Sequence, residues 1–227
     1  IWIGTYNGLN RFDPKTGKFK RYFHKQDNSS ISNNTVSSIQ ELSDGKILIG
    51  TSRGLSIYNK KTASFTSYLI NNNDKKPSEG SHVLSILETQ NKKVFIGTTS
   101  GLFKLIIING NNIEFQIIDK TQNLHIQDLV QSPLKNLLLG TKTKSVLEYN
   151  PKTERLSNYF LDNELEEGAK NVRQLLFDNN QQLWVGTYNG LKVVNSNKEV
   201  LLLRANISDP KSLSKSSIKS LFKDKKG

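Results

Sequence analysis

Nine residues at one end of the chain, Ile1-Trp2-Ile3-Gly4-Thr5-Tyr6-Asn7-Gly8-Leu9, return almost unchanged as Leu183-Trp184-Val185-Gly186-Thr187-Tyr188-Asn189-Gly190-Leu191. Degenerate copies lie between them: Ile47 to Leu55, Val94 to Leu102, and Leu137-Leu138-Leu139-Gly140-Thr141. The Gly-Thr glycines stand at 4, 50, 97, 140 and 186, so the spacings are 46, 47, 43 and 46 residues. Self-similarity at a fixed period restricts the fold to an array of like units. Each unit reads as β. An apolar run ends at Gly-Thr and turns through Tyr-Asn-Gly, and Asn-Gly between strands predicts a hairpin with both residues at positive φ.

Four short strands fit into each repeat. The first carries apolar pairs such as Val36 and Ile39, Val83 and Ile86, Ile126 and Leu129, Val172 and Leu175, and Ile218 and Leu221. The second is the Gly-Thr strand. The third follows the hairpin and leaves through turns such as Asp13-Pro14-Lys15-Thr16-Gly17 and Asn150-Pro151-Lys152-Thr153-Glu154, where proline and a later glycine suit a type I turn followed by a bulge. The fourth begins near Phe19, Phe65, Ile113, Leu156 and Val200. Polar stretches, among them Lys25 to Asn33 and Asp162 to Lys170, are expected to cross the surface without helix. Four strands in roughly 45 residues make a β-propeller blade.

The expected architecture is therefore all-β, a propeller of four-stranded antiparallel blades with about five repeats. Residues 1–33 supply strands two to four of one blade; 34–80, 81–123, 124–170 and 171–215 are blades; 216–227 are the first strand of another. The chain opens in mid-repeat and contains no Met, so it reads as part of a longer protein and an arc of a larger ring. No run of about 18 apolar residues is present, as a membrane-spanning helix would need. The absence of Cys removes thiol catalysis, disulfides and thiolate metal sites. A net charge of +12 favours anionic partners, although the lysine pairs 60–61, 75–76, 92–93 and 225–226 fall in predicted turns and equally suit solubilising charge.

The pattern of Trp2 to Leu9 followed by Arg11-Phe12-Asp13-Pro14-Lys15-Thr16-Gly17-Lys18-Phe19 resembles the regulator-propeller repeat of two-component sensors. Ser32 to Glu41 resembles that family's strand leading into an Asp-Gly turn. The resemblance spans the chain and weakens at Lys142-Thr143-Lys144-Ser145, which replaces the hairpin glycine and adds a residue. It implies the extracytoplasmic sensor region of a hybrid histidine kinase, commonly with seven-bladed propellers, on the periplasmic face of the inner membrane. The membrane span and kinase would lie outside this chain, and an oligosaccharide would be the ligand. Fold resemblance alone does not establish function.

No nucleophile elbow, phosphate loop, zinc-protease helix or calcium loop is present, so neither metal nor cofactor is expected. Carboxylates cluster in Asp162 to Glu167 without a base partner and read as a solvated loop. In Gly-Thr, the glycine is expected to permit close strand approach and the threonine to satisfy a backbone group at the turn. Trp2 and Trp184 are expected between blades.

One constellation points to binding. Thr35, His82, His125 and Asn171 each precede a Gly-Thr glycine by 15 residues, and Ser217 is the fifth member. An apolar residue follows each, so strand alternation turns the polar set the other way, towards the mouth of a propeller's central channel. The same face continues with Ser37, Leu84, Gln127, Arg173 and Lys219. Hairpin residues Tyr6, Asn7, Arg53, Lys142, Tyr188 and Asn189 open on the same end, where tyrosines stack on sugars and cations pair with carboxylate or sulfate. The plainer reading is a water-lined channel with capped hairpins. A protein-interaction or dimerising scaffold and a propeller lyase using His82, His125 and Arg173 are the alternatives. Nucleic-acid binding lacks the interleaving of aromatic and basic residues that it needs.

Overall fold

The computed structural model describes residues 1–27, 29–70, 81–109, 112–161 and 167–225. The lysine pairs 75–76 and 225–226 and the acidic loop 162–167 therefore lie wholly or partly outside the described residues. The chain divides into two compact units, Ile1–Asn123 and Leu124–Gly227.

The first unit holds three sheets. Strands β1 (Trp2–Thr5), β2 (Gly8–Asp13) and β3 (Lys18–Tyr22) form a three-stranded sheet. Strands β4 (Val36–Glu41), β5 (Ile47–Thr51), β6 (Gly54–Asn59) and β7 (Ser64–Tyr68) form a four-stranded one. So do β8 (Val83–Glu88), β9 (Val94–Thr98), β10 (Gly101–Asn109) and β11 (Asn112–Ile117). The second unit holds two four-stranded sheets. They are β12 (Ile126–Gln131), β13 (Leu137–Thr141), β14 (Val146–Asn150) and β15 (Arg155–Asn158), then β16 (Val172–Phe177), β17 (Leu183–Thr187), β18 (Gly190–Val194) and β19 (Val200–Leu203). Every pairing between these strands is antiparallel and joins sequence neighbours, as short connections dictate.

The Gly-Thr step explains how neighbouring sheets pack. A Cβ on Gly4 would lie 2.7 Å from Val36, on Gly50 2.5 Å from Val83, on Gly140 2.6 Å from Val172, and on Gly186 2.8 Å from Ile218. Each glycine is the socket for the first apolar residue of the following repeat. The threonine closes the hairpin from both sides. Thr5, Thr98 and Thr187 Oγ1 donate to the carbonyls of Gly8, Gly101 and Gly190, at 2.8, 2.8 and 2.7 Å. The same oxygens accept from the N–H of Asn7, Ser100 and Asn189.

This threonine bridge also corrects the hairpin geometry. Only the glycine takes positive φ, at 100° in Gly8 and 125° in Gly190; Asn7 and Asn189 do not. Thr5 pairs directly with Gly8 and Thr187 with Gly190. The two-residue loops are therefore Tyr6-Asn7 and Tyr188-Asn189, with glycine as the left-handed residue behind each. In the aberrant copy, Ser145 takes that role with φ 55° after a loop longer by one residue, and Thr141 Oγ1 donates to its carbonyl.

Three further expectations change. The stretch before Asn171 contains a short helix, α1 (Glu167–Lys170). Ile218 to Leu221 forms no strand, because no described strand pairs with it. It nevertheless docks as a first strand would, with Ile218 over Gly186 and the Leu221 N–H donating to Gln174 Oε1 at 2.6 Å. Strict alternation also fails. In β4, Val36 pairs with Thr51 but Ser38 pairs with Gly50, and the same shift occurs after Val83, Ile126 and Val172. Each innermost strand thus carries a β-bulge at Ser37, Leu84, Gln127 or Arg173. The bulge accounts for apolar pairs spaced by three residues, where an unbroken strand would space them by two or four.

The core is layered between sheets. Leu9, Ile31, Val36, Ile49, Tyr58 and Phe65 form one cluster, with Trp2 and Tyr22 packed against it. Trp2 meets Tyr58 of the next sheet nearly edge-on at 4.9 Å. Leu48, Ile70, Val83, Ile96 and Phe103 belong to another. In the second unit, Leu138, Val146, Phe160, Val172, Val185 and Val194 fill the seam between sheets. Trp184 is only half-buried, and its indole N–H donates to Asp178 Oδ2 at 2.9 Å. Burial opposes ionisation of Asp178, but that indole and the N–H groups of Gln182 and Asn180 outweigh it and hold the carboxyl below its ordinary pKa.

Candidate functional site

Thr35, His82, His125 and Asn171 each stand one residue before an innermost strand, and all four are half-buried. Their carbonyls accept from hairpin N–H groups: Thr35 from Ser52 at 3.0 Å, His82 from Thr99 at 3.1 Å, His125 from Lys142 at 2.9 Å, and Asn171 from Tyr188 at 2.9 Å. The polar row and the hairpin tips are thus tied together within each repeat, leaving the side chains of the row available for other contacts.

Two of those side chains, His82 and Asn171, meet the bulge residue of the preceding sheet. In the first unit, Ser37 Oγ lies 2.6 Å from His82 Nε2. In the second, Gln127 Nε2 donates to Asn171 Oδ1. The same pair of repeat positions is in contact both times, one sheet apart. Burial lowers the His82 pKa below its ordinary value of 6.5, which favours the neutral ring. Such a ring both donates and accepts.

The second unit adds an aromatic and a cation. The Arg173 guanidinium carbon lies 5.5 Å from the Tyr188 ring centroid, within cation–π range, and Tyr188 remains 54% exposed. Asn189 packs against α1: its N–H approaches the Gly168 carbonyl at 3.1 Å, and a Cβ on Gly168 would meet its Cβ at 3.0 Å. Gln127, Asn171, Arg173, Tyr188 and Asn189 are therefore brought together. His125 is tied to the exposed Lys142 by a backbone bond.

Other expected site residues stand apart. Tyr6 is 91% exposed, and Asn7 and Arg53 are exposed hairpin tips held through their N–H groups by Thr5 and Thr51. Ser217 and Lys219 are exposed in the segment after β19. Two polar contacts escaped the sequence reading. Asp128 Oδ2 accepts the Leu175 N–H at 2.8 Å, and Gln174 Oε1 accepts that of Leu221. These acceptors lie one residue past the bulge and clamp each sheet to the backbone of the next. Their common distance of 12 residues before Gly140 and Gly186 was the available signal.

Four-stranded antiparallel sheets repeated through Gly-Val sockets define blades, and the fold is a β-propeller. The family model described as "two component regulator propeller" matches residues 167–189. At those residues the chain carries a repeat of that description. It is 37% identical over 165 residues to histidine kinase P4 of Formosa agariphila, an alignment covering 70% of this chain and 12% of that kinase. The extracellular domain of a hybrid two-component system from B. thetaiotaomicron superposes with a TM-score of 0.76 at 23% identity, over 99% of this chain and 29% of that one. Virginiamycin B lyase from Staphylococcus aureus shares the fold at a TM-score of 0.66 and 14% identity, over 92% of this chain and 67% of the enzyme. This chain thus spans a small part of the kinase it matches.

Proposed function

We propose that this chain is a non-catalytic ligand-recognition segment of an extracytoplasmic sensor whose output is a histidine kinase, with an oligosaccharide as its ligand. The observation that carries the reading is the interlocked polar row. Ser37 with His82 and Gln127 with Asn171 join adjacent blades, and Arg173 sits over a half-exposed tyrosine. Amide, imidazole, guanidinium and aromatic face are the groups that recognise hydroxyls and sugar rings. Because the row spans blade seams, a ligand bridging it would favour one seam geometry over another. Differential affinity of that kind is what a signal requires. Kinship with a histidine kinase supplies the output side of the proposal. The membrane anchor and kinase belong to the longer protein.

Calorimetry of the intact sensor region against neutral and anionic oligosaccharides tests this. Binding that disappears when His82, His125 and Arg173 are changed together to Ala supports the polar row. Binding untouched by those changes rejects it. The likeness to a lyase fold makes turnover of an activated substrate the informative control: activity lost with His82→Ala or His125→Ala would replace the sensor reading by a catalytic one. No binding and no turnover would favour a scaffold.

A further inference from the structure

A second polar hollow lies away from the row. It measures about 490 Å3 and is lined by Asn136, Glu148, Asn150, Thr153, Arg155 and Ser157, on the outer strands of the fourth blade. Its place in the repeat makes it unusual. Glu148 stands opposite Leu138 just as Ile57 stands opposite Leu48 in the second blade. Ile57 packs with Leu105, Phe115 and Ile117 against the core between the second and third blades. Tyr68 and Tyr159 also correspond. Tyr68 meets Phe115 edge-on at 6.0 Å, whereas the Tyr159 ring has the Lys198 ammonium from the fifth blade 2.9 Å from its centroid. The same seam is closed by apolar side chains in one place and lined by polar ones in the other. A repeat position that forgoes apolar closure needs a reason outside stability.

We propose that this hollow binds a neutral, hydroxyl-rich ligand of the size of one or two sugar residues. Among the six lining residues one carboxylate balances one guanidinium, so the lining itself carries no net charge. A carboxylate accepts from adjacent hydroxyls and a guanidinium donates to them. All six lining side chains are polar, which leaves no place for an apolar group, and the volume lies within the roughly 300–1,000 Å3 usual for small-molecule sites. Part of the wall is also held before binding. Asn136 Nδ2 donates to Glu148 Oε1 at 3.0 Å, and Asn150 Oδ1 accepts from the Lys152 and Thr153 N–H groups at 2.9 and 3.2 Å. Groups held in place lose less freedom on binding. The inference stands on this blade seam and does not rest on the polar row.

The test is an NMR titration of the whole chain with glucose, galactose, mannose and maltose, with glycine and sodium glucuronate as charged controls. The expected result is saturable amide shifts at Glu148, Asn150, Arg155 and Ser157 with at least one neutral sugar. Glu148→Gln and Arg155→Ala should each weaken binding by about tenfold or more, while Arg173→Ala leaves it unchanged. Wild-type spectra without saturable shifts at these residues would overturn the proposal whatever the variants do. So would a stronger response to glycine or glucuronate than to every neutral sugar. Loss of the shifts in Arg173→Ala would transfer the binding to the polar row and reject a separate site.

Discussion

The seam between the second and third blades and the seam between the fourth and fifth share their inner halves and differ in their outer halves. Both place a valine over a glycine, Val83 on Gly50 and Val172 on Gly140. Both join a bulge residue to the polar residue of the next blade. Further out, the first is filled by Ile57, Leu105, Phe115 and Ile117. The second instead presents Glu148, Tyr159 and Lys198. The repeat therefore dictates how blades approach one another and leaves open what fills the space beyond.

Substitution in the shared half should have the largest effect and be alike in both seams. Gly50→Ala and Gly140→Ala each force a methyl group within 2.6 Å of a valine Cγ1. Each should cost about 1–3 kcal/mol, read as lower melting temperatures of the two variants. A loss in one seam only would break the equivalence. Asp128→Ala should cost about 1–2 kcal/mol by leaving the Leu175 N–H without its acceptor, with faster hydrogen exchange at that amide. At the corresponding place in the second blade, Ser38 Oγ is buried without a hydrogen-bond partner, so Ser38→Ala should be neutral within about 0.5 kcal/mol. Equal losses at Asp128 and Ser38 would erase the distinction.

The smallest effect is a pH dependence in the unit Ile1–Asn123. Burial lowers the folded pKa of His82 below 6.5. As pH falls through that value, the unfolded chain takes up a proton before the folded one, so stability is lost with acidification until the folded pKa is reached. Melting temperatures of wild type and His82→Gln should diverge on this account, the wild type falling faster below pH 6.5. A gap between them that stays constant with pH would remove burial of the ring as the cause.

Much of the fold was legible in the chain because the repeat is written in glycines and threonines whose roles are steric and local. Gly50 cannot be larger, and Thr51 must bridge its hairpin. The bulge was legible too, in the three-residue spacing of Val36 and Ile39, but strict alternation hid it. The site was only partly legible. That Thr35, His82, His125 and Asn171 form a series follows from counting, yet counting cannot show that His82 and Asn171 meet the bulge residues Ser37 and Gln127 of the preceding blades. Nor can it reveal α1 bracing Asn189, because four residues carry no helical period. Ser217 shares the series by position, but it stands exposed in the segment after β19.

The bulge also bears on how such a chain changes over generations. Ser37, Leu84, Gln127 and Arg173 each occupy a step with no opposite residue on the neighbouring strand. A hydroxyl, an alkyl group, an amide and a guanidinium have all been accepted there without altering register. This one step in the four four-stranded sheets thus accepts any side chain while the scaffold stays indifferent.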